Sequence, residues 1–185
     1  MSCSSLLALA RECGADGNVG GLEKVYMIAF NDLKPVAGSL TNEVYTISTG
    51  GLVSEIGVVT AKEFVEVGLL RSTAGLNSEM TKEASTATRY FTDTFTLVIG
   101  GMGTDQATFV NSVLDQPVVV ITKSRTGKFF TAGLNGQLEL SALTGGTGTA
   151  EGDLQGYTLT FTGISTKLPL QVDPTIITGL LEPAV

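Results

Sequence analysis

Residues 116–163 read QPVVVITKSRTGKFFTAGLNGQLELSALTGGTGTAEGDLQGYTLTFTG, and the fold turns on how this stretch is read. Residues 118–122 form a continuous apolar, β-branched run, the pattern of a strand buried on both faces. Arg125-Thr126-Gly127-Lys128 has the composition of a hairpin turn, and residues 129–132 return from it. Residues 137–142 make another strand. Residues 145–156 are a glycine-rich connection that lacks the Lys and the following helix of a phosphate cradle. Residues 157–162 alternate as a strand. Four strands separated by glycine-rich turns read as a β-meander. None of them carries a catalytic constellation.

Upstream, residues 104–116 (TDQATFVNSVLDQ) predict the one good helix. Thr104 serves as its cap and Asp105 suits its first turn. Ala107, Val110, Val113 and Leu114 form its apolar stripe, and Pro117 ends it. Before it, Phe91, Asp93, Phe95, Leu97 and Ile99 alternate with Tyr90, Thr92, Thr94, Thr96 and Val98, which is a long strand. Residues 75–89 are polar and lead into that strand, whose far end reads either as an arm that projects beyond the core and buries no face of its own, or as an ordinary long hairpin on one domain. Gly101-Met102-Gly103 invites a nucleotide-binding reading. Gln106 stands where the third glycine belongs and Lys123 where the acid belongs, so a flexible strand-to-helix joint is the better reading.

The remaining segments fit a β domain. Residues 22–30 alternate as the first strand, and 44–48 and 52–60 flank a Gly50-Gly51 turn. Residues 62–70 continue as a strand or sheet edge. Glu55, Glu63 and Glu66 make this region acidic. Residues 4–12 predict a short helix, and residues 14–21 a plain loop whose Asp16 and Asn18 lack the later ligands of a calcium loop. The segment 169–185 is an apolar, proline-punctuated tail. Its Ile176, Ile177, Leu180 and Leu181 would be poorly soluble if exposed, so it docks on its own domain or on a neighbour. The expected organisation is an N-terminal arm with a short helix (1–21), a β-sandwich domain (22–168) with an arm near 75–99 and a helix near 104–116, and a C-terminal docking tail (169–185).

Composition narrows the function. The chain has no His, which removes Ser-His-Asp and Cys-His catalysis and His-ligated zinc together. Cys3 and Cys13 form no C-x-x-C pair and have no further ligands near them. A net charge of −7 leaves no basic footprint for gripping nucleic acid. Charged residues are only 16 %, so much of the surface is expected to meet another subunit. No apolar run approaches the ~20 residues of a membrane helix, and Leu6–Ala10 is too short for a signal peptide. Asp93, Asp105, Asp115, Glu139, Asp153 and Asp173 show no spacing that pairs them as acid and base. Neither an enzyme nor a cofactor or metal site is expected.

A resemblance extends this reading. Cys3, Cys13 and Gly20-Gly21-Leu22-Glu23-Lys24-Val25-Tyr26-Met27-Ile28-Ala29 are similar to the start of a group of small proteins from phages and prophages of Bacteroidetes-type hosts. The later TRYFTDTFTLVI, PVVVITKSRTGKFFTAG and GTAEGDLQGYTLTFTG runs follow in the same order as in that group. The order of elements also resembles phage tail-tube proteins. That resemblance implies a β-sandwich or flattened barrel with one flanking helix and a hairpin arm. It further implies a virion tail, assembled in the host cytoplasm, in which hexameric rings stack into a channel for DNA. The implied partners are further copies of the chain, other tail or neck proteins, and DNA as non-specific transiting cargo, with no membrane. Candidate inter-subunit contacts are Met80, Thr86, Arg89, Phe91, Ile176, Ile177, Leu180 and Leu181. Candidate channel-facing acids are Glu55, Glu63 and Glu66. Two alternatives stay open: another virion component (a joining ring, capsid decoration or tail-tip protein) and a β-sandwich module that binds a host molecule.

Overall fold

The computed structural model describes residues 20–37, 43–83, 85–86, 88–150 and 152–181. Cys3, Cys13 and the helix expected over residues 4–12 lie outside them. The described chain is mainly β, with two packed sheets and two helices. In chain order the strands are β1 (Leu22–Ala29), β2 (Tyr45–Ile47), β3 (Val53–Ile56), β4 (Val65–Val67), β5 (Gly75–Glu83), β6 (Thr88–Gly100), β7 (Val118–Ser124), β8 (Phe129–Ala132), β9 (Glu139–Gly146), β10 (Gly156–Ser165) and β11 (Leu170–Val172). Helix α1 (Thr104–Val113) joins β6 to β7, and α2 (Pro174–Leu180) follows β11.

The larger sheet has the order β2-β3-β11-β8-β7-β1-β4, and the smaller the order β5-β6-β10-β9. All pairings are antiparallel except β11 with β3. The larger sheet is the middle layer. Val25 and Met27 of β1 and Val118 and Val120 of β7 face a core completed by Phe95, Leu97, Leu159 and Phe161 of the smaller sheet and by Val110 and Val113 of α1. On the opposite face Tyr26, Ile28, Val119 and Ile121 join a second core with Tyr45, Val53, Ile56, Phe64 and Val172, plus Ile177 and Leu180 of α2. Side chains alternate across a strand, so a strand with both faces covered must be apolar throughout. The sheet also curls: Leu33 bridges Val58, and Lys34 N–H donates to the Gly57 carbonyl at 3.0 Å, although β1 and β3 are not neighbours in the sheet order. It does not close into a barrel.

Residues 116–163 are not a meander. They are two hairpins, β7–β8 in the larger sheet and β9–β10 in the smaller, and the chain changes sheets between Ala132 and Glu139. Gly133 makes the departure possible. Its φ of +93° favours glycine, and a Cβ there would stand 2.7 Å from the Val118 carbonyl oxygen.

Helix α1 begins at Thr104 with Gly103 as its N-cap and no side-chain cap, so Thr104 is not the cap. It ends at Val113, short of Pro117. Leu114 is exposed, and Phe109 packs on the core in its place. The described part of the segment 169–185 is a full member of the domain. β11 lies between β3 and β8, and Asp173 caps α2 by accepting from Thr175 N–H at 2.9 Å.

Candidate assembly interface

The smaller sheet presents three surfaces with no partner among the described residues. The first two are its outer edges, one on β5 and one on β9. The backbone groups on such an edge offer a ready template for another strand. β9 is exposed along most of its length.

The third surface is its outward face. Thr92, Thr94, Thr96 and Val98 of β6 stand beside Ile164, Thr162, Thr160 and Thr158 of β10 in register. On β5, Asn77 and Glu79 continue the same face opposite Thr94 and Thr92. The threonines are half-buried and Ile164 is 64 % exposed. The face is polar and nearly uncharged.

The β5–β6 hairpin outruns the sheet. β10 pairs with β6 only as far as Phe91, while β5 follows β6 to Thr88. Beyond Phe91 the ribbon has two strands and, among the described residues, no layer beneath it. Met80 lies opposite Phe91 on the side that faces the core farther down, yet it is 60 % exposed. Thr86 and Arg89 are exposed near the tip and Phe91 is half-buried at the root. Glu83 holds the tip turn: Ser85 Oγ donates to it at 2.8 Å, which with the Ser85 N–H lowers the carboxyl below its ordinary value.

Asp93 sits at the same root, 3 % exposed. Ser165 Oγ donates to its Oδ2 at 3.0 Å, while Oδ1 and the facing Ser78 Oγ have no partner among the described residues. Asp93 is in phase with Phe95, Leu97 and Ile99, so the alternation already places it inside.

The tail contacts need correction. Ile177 and Leu180 are buried in the second core of their own chain, and Ile176 and Leu181 pack against that core. α2 spends its apolar face internally, and these four residues are not an open contact surface. Of the eight candidate contacts, the hairpin alone supplies exposed ones: Met80, Thr86 and Arg89.

Glu55 is on β3, near one end of the sheet order, while Glu63 precedes and Glu66 belongs to β4 at the other end. Glu66 pairs with Lys24 at 3.0 Å, and this bond holds the lysine above its ordinary range. Lys123 similarly lowers Glu23 through a 2.8 Å contact.

Other carboxylates have local duties. Asp153 Oδ2 accepts from Thr149 N–H and Ala150 N–H, both at 2.8 Å, and these bonds depress its carboxyl. Asp105 lies in the first turn of α1. Asp115 and Glu139 line one small cleft of about 270 Å³. Among the described residues no three Cys, Asp or Glu side chains gather as a metal site, and no helix is long and apolar enough to cross a membrane. The chain matches no family model, no curated protein and no solved structure. Its surfaces therefore carry the functional argument.

Sequence reading singled out the hairpin but missed the β9 edge. Residues 143–146 (LTGG) have a loop composition, and only pairing to β10 makes them strand.

Proposed function

We propose that this chain is a structural virion protein, a tail-tube subunit that assembles side by side into stacked rings around a channel for DNA. One observation carries the reading: a single antiparallel sheet with two unpaired edges, β5 and β9, whose longest hairpin overhangs it. Joining β9 of one copy to β5 of the next is a heterologous contact, and heterologous contacts close into rings when the rotation permits.

The layering supports one choice of the side that faces inward. One face of the smaller sheet is covered by the larger sheet and α1, and these bulky layers need the larger radius. The threonine face then lines the bore. Six copies would contribute about 24 strands, roughly 115 Å around at ~4.8 Å per strand before tilt, and roughly 37 Å across between backbones. That leaves room for duplex DNA after side chains are allowed for. A hydroxyl-rich wall whose charged residues, Glu79 and Glu139, are both acidic gives phosphates nothing to grip. In this reading Glu55, Glu63 and Glu66 belong to the outer layer, and the bore is kept slippery by absence of Lys and Arg. The hairpin, bearing Met80, Thr86 and Arg89, reaches the next ring.

Negative-stain electron microscopy of the concentrated protein tests this, with stacked hollow rings as the expected result. Isolated rings that never stack favour a joining ring instead. Particles that stay monomeric at every concentration and salt condition count against assembly through these edges. Deleting residues 75–89 would remove all of β5 and with it a ring edge. The cleaner variant replaces residues 81–90 by a two-residue turn. It should keep rings and lose stacking.

A further inference from the structure

Strand β6 has 13 residues, a span of roughly 40 Å at ~3.3 Å per residue. Its Thr88 end belongs to the overhanging hairpin, and its Gly100 end borders a cleft of about 650 Å³. Val67, Leu69, Leu70, Ile99 and Phe109 give this cleft a largely apolar lining. Two acids, Glu66 and Asp105, line it as well, and no Lys or Arg does. Glu66 is engaged by Lys24, whereas Asp105 is exposed and has no ion-pair partner among the described residues.

The hairpin carries the complementary chemistry. β5 and β6 pair without a register shift, so alternation puts Met80, Lys82, Arg89 and Phe91 on the core-side face of the ribbon. Glu79 and Glu83 fall on the other face. Lys82 stands directly opposite Arg89, and like charges so placed repel. Both are exposed, and neither has an ion-pair partner among the described residues. Next to them along the ribbon, Met80 is also largely exposed. One face of the overhang thus offers two uncompensated cations and an apolar side chain. The cleft offers an uncompensated acid and an apolar wall.

Their positions match a head-to-tail contact. When copies follow one another along β6, the hairpin tip of one arrives at the Gly100 end of the next. Three strand pairs, from Thr81–Tyr90 to Glu83–Thr88, extend past Phe91. They make about 10 Å of ribbon, enough to seat the tip and bring Met80 to the mouth of the cleft. Donor and acceptor surfaces differ, so the contact is heterologous and repeats from copy to copy. It also keeps Lys82 and Arg89 away from the threonine face.

We propose that the cleft between residues 67–70 and α1 receives the hairpin tip of a second copy, with Lys82 and Arg89 meeting Asp105 and Met80 resting on Leu70. The proposal rests on the tube reading for the order of the copies, and it names the receiving site on the next ring.

Photo-crosslinking of the concentrated full chain tests it. An isotope-labelled chain carrying p-benzoylphenylalanine in place of Met80 is mixed with unlabelled natural chain. Cross-links should join position 80 to unlabelled peptides that hold residues 66–70 or 99–109. Cross-links that fall elsewhere, or none at any concentration, overturn the proposal. Stacked rings in that same sample would leave the tube reading standing. Cross-links into the cleft without rings would support the contact and count against the tube.

A charge exchange gives a second reading. Lys82→Glu with Arg89→Glu should raise the concentration needed for stacking about tenfold or more while rings persist. Asp105→Lys should do the same, and the three changes together should recover most of the stacking. Asp105→Lys also removes an acid from the first turn of α1, so the recovery in the combined chain is decisive. Stacking that ignores the hairpin changes, or a combined chain no better than the separate ones, overturns the assigned contact.

Discussion

The two sheets solve the burial problem in opposite ways. Strands β1 and β7 of the larger sheet sit between two cores, and their sequences, VYMI and VVVI, are apolar at every step. Strands β6 and β10 of the smaller sheet cover one core and alternate apolar residues with threonine. The first pattern leaves no face for a partner. The second leaves a whole face and two edges. Open surfaces among the described residues are therefore legible as the places where alternation persists and no second layer follows.

Substitutions on one strand should break this contrast most sharply. Phe161 is fully buried, with its ring centroid 5.9 Å from that of Phe95, while Thr160 points the other way. Phe161→Ala should cost about 3–5 kcal/mol in denaturant unfolding. Thr160→Ala should stay within about 0.5 kcal/mol. Equal losses at the two positions would mean that the threonine face is covered too.

The crossover between the sheets should be nearly as sensitive. Gly133→Ala places a Cβ against the Val118 carbonyl oxygen in a backbone conformation that alanine resists. The expected loss is about 2–3 kcal/mol, read from the denaturation midpoint. An unaffected variant would show that the chain can leave the larger sheet by another route.

At the hairpin root, Ser165→Ala removes the one donor to the buried Asp93 side chain found among the described residues. It should cost about 1–3 kcal/mol. Ser165→Thr, which keeps a hydroxyl, should recover part of that. A neutral Ser165→Ala would mean that other groups satisfy Asp93.

The smallest expected effect lies in the tail. The Thr175 N–H and then its hydroxyl hold the Asp173 carboxyl below its ordinary value. A group whose pKa is lowered on folding adds stability above its unfolded value of about 3.9 and loses it as pH falls through the folded value. The Tm difference between the natural chain and Asp173→Asn should therefore be constant above about pH 5 and shrink as the pH falls below about 3.9. A difference that does not vary with pH would leave the cap without an ionic share.

Much of this architecture was legible before any coordinates. The apolar run at 118–122 announced a central strand, and the alternation at 90–99 announced a one-sided one. Arg125–Lys128 was a hairpin turn, and the helix start at residue 104 was placed within a residue of its true cap. The misreadings share a cause. Four strands in a row look like a meander because sequence order carries no sheet label. The tail's two settings, its own domain or a neighbour, stay open in the sequence because Ile177 and Leu180 are apolar in either, and only β11's place between β3 and β8 shows that they dock on their own domain. Glu55 and Glu66 read as one acidic region because they are near in sequence, whereas they belong to strands that do not pair with each other.

By itself, the sequence determined the class of each strand, because burial on one face or two is written in side-chain period, a local property. It also determined the absence of histidine chemistry, which needs only a residue that the chain does not contain. The tertiary structure alone decided which sheet each hairpin joins, which edges remain open and whether the tail is spent at home. Those outcomes depend on pairings between residues far apart in the chain, and no local pattern specifies a partner at that distance.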